Sequence, residues 1–556
     1  MRIIWAGFYN FIQLVLATLA IPFKLLLGKP VTAYVYYRLK GDPAYRKSMT
    51  RGRSLFRRRE RKRSGLVVDL QLWQEQLNLL SIDPKVEGMV LEFDGLEVSA
   101  AKRDAIGQII RRFKAAGKKS VAFAVTFSNA EYALACQCDR IVLAPGGRVE
   151  LTGYSAELTA LGDALKHLGV GAHFVRRADY KTMPELFTHR EPSPAQKQTA
   201  EAIIDQRYLG LLRSLVEGRK FQEAEAKRKI DLGPYGSKRA LTEGLCDAVA
   251  SRSELPSCDD RTTPDEAMTS FEAWVRKRAF YYRKFLPLKR RSTLAIIPLD
   301  GMIVQGDGGM TPLGKSCGST ELIDALRKVR RSSTVKAAVL YVRSPGGGAV
   351  ASDLILEEIK KLAKEIPVVA YFDQVAASGG YLVSLGAQEM WADSTAVVGS
   401  IGVFAGKFEF SELFKRWGIH RSIIQRGDNA SRMSASRPFT QHEKTSLEAE
   451  VEEIYQSFVE EVARARRRNK DEILNLAQGK VYTGDQALAV GLVDGLCDFE
   501  GACRRAIELA KSPTDDFKLK MFTPAARRGS IISSLLQFNR SMIFTLDLDV
   551  ALGIRP

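Results

Sequence analysis

The stretch VAASGGYLV (Val375–Val383) sets one serine, Ser378, directly before two glycines. The apolar run IPVVAYF precedes it and a helical pattern follows. A strand–serine–helix arrangement can offer a hydroxyl for acyl transfer, but serine is a weak nucleophile until a base takes its proton. No histidine, aspartate or glutamate lies within the stretch. Read alone, such a stretch is usually a small-residue turn where a strand packs closely on a helix. Acyl transfer also needs N–H donors for the developing oxyanion. At a helix start the Gly379 N–H can point at a substrate. RSPGGG (Arg343–Gly348), after the apolar run AAVLYV, offers a second backbone N–H where glycine permits close approach.

The missing base is suggested by a duplication. VEGMVL (Val86–Leu91) resembles VKAAVL (Val335–Leu340), and LGVGAHFVRRAD (Leu168–Asp179) resembles WGIHRSIIQRGD (Trp417–Asp428), both at an offset of 249 residues. YGSKRALTEGLCDAV (Tyr235–Val249) resembles YTGDQALAVGLVDGL (Tyr482–Leu496) at an offset of 247. A period this long means a duplicated domain and not a solenoid. At the offset of 249, Ser378 faces Asn129, Gly346 and Gly347 face Glu97 and Val98, and Lys181 of ADYKTMPE faces Ala430. One copy holds the serine and the glycine turns; the other holds the lysine. Such complementary loss is expected if one site takes half from each copy. A lysine serves as base only when neutral. Lowering its pKa from about 10.4 to about 7 costs roughly 4–5 kcal/mol, which desolvation can supply.

Elements of α/β type must position these groups. Apolar runs (GMVLEF, SVAFAV, RIVLA; then AAVLYV, PVVAYF, EMWA) alternate with amphipathic helical stretches (AAKRDAIGQIIRRFKAAGK; then ASDLILEEIKKLAKE). The alternation predicts βα units and mainly parallel sheets. Long polar helical segments are expected near residues 185–230 and 438–475. The expected organisation is an N-terminal apolar anchor (1–30), a basic juxtamembrane segment (31–65), a first repeat carrying the lysine (66–255), a linker (256–291), a second repeat carrying the serine and glycine turns (292–511), and a tail (512–556).

The chain has 556 residues and a formal net charge of +19. Residues 1–70 alone carry 15 Lys/Arg against 3 Asp/Glu, so the body is only mildly basic and no nucleic-acid partner is expected. Seven scattered cysteines, with Cys136 and Cys138 as C-x-C, give neither a disulfide framework nor zinc spacing. No cofactor is expected. Ile3–Leu27 is nearly continuously apolar, which is about the ~20 residues that cross a bilayer. RGRSLFRRRERKRS places eight basic residues between Arg51 and Arg63. By the positive-inside rule that side is cytoplasmic; alternatively the block lies on anionic lipid.

VRSPGGGAVASDLI, VAASGGYLVS, VVGSIGVF and RRADYKTMPELFTHREPSP resemble motifs of the signal peptide peptidase A family of membrane-bound serine proteases, in its long two-repeat form, over roughly residues 66–510. The resemblance implies two tandem ClpP/crotonase-like domains and a Ser-Lys dyad split between the copies. It implies Ser378 as nucleophile, Lys181 as general base, Ser400 orienting the lysine, and Gly347 and Gly379 as oxyanion donors. It further implies cleavage of remnant signal peptides, a homotetramer, and a bacterial inner-membrane protein whose body lies outside the cytoplasm, against the charge rule. Two positions depart from the family pattern: Arg343 stands where asparagine is frequent, and Gly348 where serine often follows. Both bear on substrate preference.

Three rivals remain at this stage. A Ser-His-Asp protease would need His167, His173, His189, His420 or His442, none of which stands in a triad motif. A crotonase-type acyl-CoA enzyme would use the oxyanion turns without needing Ser378 and Lys181 together. A catalytically inactive membrane scaffold would need only the basic arm and the duplicated body.

Overall fold

The computed structural model describes residues 33–45, 66–84, 86–252, 255, 268–270, 292–311, 314–511 and 517–523. The expected anchor, the basic block 51–63, nearly all of the linker and most of the tail lie outside the described residues. Among the described residues, no helix is long and apolar enough to cross a membrane. The described residues fall into two compact units, one within 1–154 and 207–292, the other within 155–206 and 293–555.

The first unit is built on one sheet. Its strands run in the order Leu66–Asp69, Ala33–Ala44, Val86–Leu96, Lys119–Phe127, Arg140–Val149 and Tyr235–Gly236. All these neighbours are parallel except the last pair. Helices Leu70–Ser81, Ala100–Ala115 and Asn129–Ala135 each follow a strand, as the alternating pattern predicts. Trp73, Leu91, Ile106, Phe127 and Tyr132 are buried in its core. One segment differs from expectation. Ala33–Ala44, placed by sequence in the basic juxtamembrane stretch, is a strand inside the sheet, with Tyr34–Tyr37 and Leu39 buried. The nearby arginines outweighed its own pattern, AYVYYRL, whose aromatic and β-branched residues favour a pleated surface.

The second unit repeats the design. Its sheet runs Val481–Thr483, Val397–Gly399, Val368–Ala377, Val335–Ser344, Ser292–Asp300 and Phe517–Met521, with Glu389–Ala392 pairing to Val368–Ala377. The central pairs are parallel. Val368–Ala377 is buried at nine of its ten positions, as a parallel strand covered on both faces should be. This explains why its first five residues, VVAYF, read as an unbroken apolar run. Helices Ala349–Ala363 and Gly379–Ser384 follow the two central strands. Two additions matter for the site. A small sheet contains Met302–Val304, and a two-stranded antiparallel ribbon pairs Gly171–Arg177 with Val403–Glu409. Residues 155–206, which belong by sequence to the first repeat, thus pack within the unit that carries Ser378.

Candidate active site

Strand Val368–Ala377 ends at Ser378, where the backbone takes φ +53° and ψ −121° before helix Gly379–Ser384. L-residues rarely adopt this conformation, and such strain costs of order 1–3 kcal/mol. The surroundings hold it: the Ser378 N–H donates to the Gly399 carbonyl (2.8 Å), and its carbonyl accepts from Leu382 N (2.9 Å). The side chain makes no capping bond to the helix, so the hydroxyl is available for another partner.

That partner is Lys181. Beyond strand Gly171–Arg177 the chain turns through Ala178 (φ +89°), and Lys181 N donates back to the Ala178 carbonyl (3.2 Å). Tyr180 N donates to the Gln478 carbonyl (2.8 Å). Gly479, at φ +74°, allows the close approach, since a Cβ there would lie 2.6 Å from Lys181 N. Lys181 is only 6% exposed. Its Nζ lies 2.9 Å from Ser378 Oγ, 3.0 Å from the Ser400 carbonyl and 3.0 Å from Ser400 Oγ. No carboxylate pairs with it among the described residues. Burial alone pushes its ammonium down to about 7. The three contacts match a neutral amine, which has two N–H donors and one lone pair. Both N–H groups can go to Ser400, leaving the lone pair for the Ser378 hydroxyl. Ser400 is itself fixed, with φ +49° and its N–H on the Lys480 carbonyl (2.8 Å).

The glycine turn lies against the same serine. Ser344 Oγ accepts from Gly346 N (3.2 Å), while Ile303 N donates to the Gly346 carbonyl (2.8 Å) and Gly348 N to the Ile303 carbonyl (3.0 Å). Gly346 has φ +110°, and a Cβ on it would sit 2.8 Å from both Gly379 N and Ser378 Cβ. A Cβ on Gly347 would overlap the Ile303 carbonyl, so strand Met302–Val304 demands glycine there. Neither Gly347 N–H nor Gly379 N–H donates to another group among the described residues. The site therefore offers a strained hydroxyl, a desolvated amine and two free amides close together, the requirements of acyl transfer.

The profile of Peptidase family S49 matches residues 112–257 and 360–512, together more than half of the chain. The chain belongs to that family. Among curated proteins, "Protease 4" of Haemophilus influenzae is 30% identical over 478 residues, covering 82% of this chain and 75% of that protein. "Serine protease SPPA, chloroplastic" of Arabidopsis thaliana is 28% identical over 488 residues, covering 86% and 70%. "Protease 4" of Salmonella typhi is 30% identical over 448 residues, covering 77% and 70%. These S49 relatives support a serine peptidase, a hydrolase of peptide bonds.

Within this S49 chain, all five residues singled out from sequence (Ser378, Lys181, Ser400, Gly347 and Gly379) lie in one compact unit. Histidine does not enter the site: Lys181 is the hydrogen-bond partner of Ser378 Oγ, and His173 sits in strand Gly171–Arg177 against the Phe439 ring. The unusual Arg343 is committed elsewhere, its Nε bonded to Asp300 (2.9 Å). Burial pushes the Cys136 and Cys317 thiols up to about 12, which leaves them poor nucleophiles. Several supports were not singled out from the sequence. Ser344, which holds the glycine turn, stood inside a quoted motif and was legible there. Arg176, whose Nη1 donates to the Lys181 carbonyl (3.4 Å) and pairs with buried Glu185, likewise opens the motif RRADYKTMPELFTHREPSP, whereas Gly479 carries no local signal.

Proposed function

We propose that the chain is a membrane-bound serine endopeptidase that hydrolyses apolar peptides such as cleaved signal peptides, with Ser378 as nucleophile and Lys181 as general base. The observation that carries the reading is the 2.9 Å contact between Ser378 Oγ and a lysine Nζ buried without a carboxylate partner. Neutral Lys181 takes the Ser378 proton as Oγ attacks the scissile carbonyl. The oxyanion accepts from the Gly347 and Gly379 amides. The protonated lysine then gives its proton to the leaving amine, and the C–N bond breaks, leaving an acyl-enzyme. Lys181 next deprotonates water, which releases the acid product and restores Ser378. Ser400 holds Nζ in line throughout. The signal-peptide substrate class, attachment through Ile3–Leu27 and a tetrameric assembly rest on the sequence resemblance and the apolar N-terminal run.

The test is covalent labelling by a fluorophosphonate probe, located by peptide mass spectrometry. Wild-type protein should label at Ser378, and Lys181→Ala should label far more slowly. Wild-type turnover of an apolar peptide by Lys181→Arg would refute the dyad, because arginine cannot act as a base.

A further inference from the structure

The glycine turn Gly346–Gly348 hangs on a short strand that belongs to another sheet. The inner strand Ser292–Asp300 ends with Asp300 set against Arg343, and its last rung is the Gly301 N–H on the Arg343 carbonyl (2.8 Å). Gly301 then turns at φ +93°, where a Cβ would lie 2.2 Å from the Lys315 carbonyl oxygen. Beyond it Met302–Val304 pairs with Ser316–Gly318 of the small sheet, and Ile303 bridges to Gly347. Ile303 N donates to the Gly346 carbonyl and the Ile303 carbonyl accepts from Gly348 N, so any movement of this strand is copied into the turn. An ionic link sits at the handover between the sheets. Asp300 Oδ1 accepts from Arg343 Nε (2.9 Å), while Oδ2 accepts from Lys315 Nζ (2.5 Å) and, more weakly, from Arg343 Nη2 (3.4 Å). Burial by itself would raise the Asp300 carboxyl, but Arg343 and Lys315 hold it below the ordinary carboxylate value. One carboxylate thus ties the last rung of the large sheet to the neighbouring strand of the small one.

We propose that Arg343 is a positioning residue for acyl transfer: through Asp300 and Lys315 it fixes strand Met302–Val304, and so keeps the Gly347 N–H aimed at the oxyanion. The inference rests on the reading of Ser378 as nucleophile and Gly347 as oxyanion donor. Arginine suits the task because its planar fork reaches both oxygens of one carboxylate. The link contributes little to folding. The Arg343 and Asp300 side chains are 28% and 20% exposed and that of Lys315 60%, and ion pairs so open to water are weak. Catalysis is less tolerant than folding, since a misplacement of about 1 Å at the reacting centre costs up to about 10²-fold in rate. The link should also leave the base alone. Lys181 Nζ bonds to Ser378 and Ser400, and to none of these three residues among the described ones.

The experiment is steady-state kinetics on an apolar peptide with full-length Arg343→Ala, Asp300→Ala and the double variant, alongside Ser378→Ala. Arg343→Ala and Asp300→Ala should each lower kcat about tenfold, with KM within about twofold of wild type. The double variant should lose no more than either single one, because the two side chains act as a unit. Fluorophosphonate labelling of Ser378 should slow in step with kcat. The pH midpoint of activity near 7 and the melting temperature should stay in place, whereas a merely structural loosening would move them. Arg343→Lys, which keeps the charge without the fork, should recover to about threefold below wild type. Wild-type kcat in Arg343→Ala, losses that multiply in the double variant, or a rise in KM alone would overturn the proposal. Should Arg343→Ala fail to fold, Lys315→Ala at the exposed end of the link decides. A kcat about twofold lower supports the proposal, and wild-type kcat overturns it. Ser378→Ala separates the inference from the reading beneath it. If that variant is inactive while Arg343→Ala is unimpaired, positioning alone fails; if Ser378→Ala turns over peptide at the wild-type rate, both fail.

Discussion

The two helix starts that the duplication sets against each other, Ser128-Asn129 and Ala377-Ser378, differ in where their polar groups go. In the first unit the chain leaves strand Lys119–Phe127 with ordinary extended angles at Ser128 (φ −70°, ψ 169°). A capping box then closes helix Asn129–Ala135: Ser128 Oγ accepts from Glu131 N, and Glu131 Oε2 accepts from Ser128 N (3.0 Å). Glu131 Oε1 also accepts from Leu96 N (2.8 Å), so one buried carboxylate takes up amides from two turns. Asn129, opposite Ser378 in the repeat, spends its amide on Gly153 and Thr152. In the second unit Gly380 stands in place of Glu131 and Pro345 in place of Leu96. The Ser378 side chain makes no cap on its helix, the backbone is strained there, and the amides of Gly347 and Gly379 stay free among the described residues. The same strand–turn–helix frame is a satisfied structural joint in one copy and an open, costly one in the other. At this joint, therefore, one copy is built for stability and the other for reactivity.

Substitutions can break that contrast. The largest effect is expected from Ser378→Ala, which should lower kcat/KM for an apolar peptide by roughly 10³-fold or more, as for other nucleophile deletions. Asn129→Ala in the first unit should leave kcat/KM per folded molecule unchanged. Next comes Gly346→Ala. A Cβ would press on Gly379 N and Ser378 Cβ in a φ +110° backbone, so kcat/KM should fall about 10²-fold, comparable to losing an oxyanion donor.

The lysine gives two pH readouts. With its ammonium near pKa 7, activity should rise as pH increases through about 7 and level off above it. Stability follows the same group. The folded pKa lies below the unfolded value of 10.5, so the folded state binds fewer protons between about 7 and 10.5 and gains stability as pH rises through that window. The penalty is full below pH 7, at roughly 5 kcal/mol, and absent above 10.5. Lys181→Met should therefore raise the melting temperature at pH 7 and lose that advantage by about pH 10. No gain at pH 7 would show that the ammonium is not destabilised by its site. The smallest effect is expected from Glu131→Gln, which should cost about 1–3 kcal/mol of stability by calorimetry and leave pH-dependent activity untouched. If it abolished activity, the first-copy turn at Ser128 would be more than a structural joint.

Much of the site was legible in the sequence because its parts are local. SGG after an apolar run, PGG after another, and a lysine present in one copy alone are patterns of neighbouring residues or of a fixed offset. Gly379, Gly347 and Ser378 each sit where strand, turn and helix signals meet. The supports of Lys181 were hidden for the opposite reason. Gly479 and the Gln478 carbonyl come from a segment about 300 residues downstream, and no periodicity links them to the lysine. The inner strand Ala33–Ala44 was hidden by charge: the arginine block that follows dominates the composition of the region, while burial follows the strand's own aromatic and β-branched residues.

Sequence alone determined the inventory: two α/β copies, one serine, one lysine, glycine turns in one copy and their replacement in the other. Side-chain periodicity and turn chemistry act over a few residues, so a linear pattern can carry them. Tertiary structure decided which lysine meets which serine and in what state. Residues 155–206 leave the sequence repeat they belong to and pack in the unit of Ser378, which carries Lys181 Nζ 197 positions along the chain to within 2.9 Å of Oγ. Only that packing removes water from the amine, and desolvation is what turns an ordinary lysine into a base near pH 7.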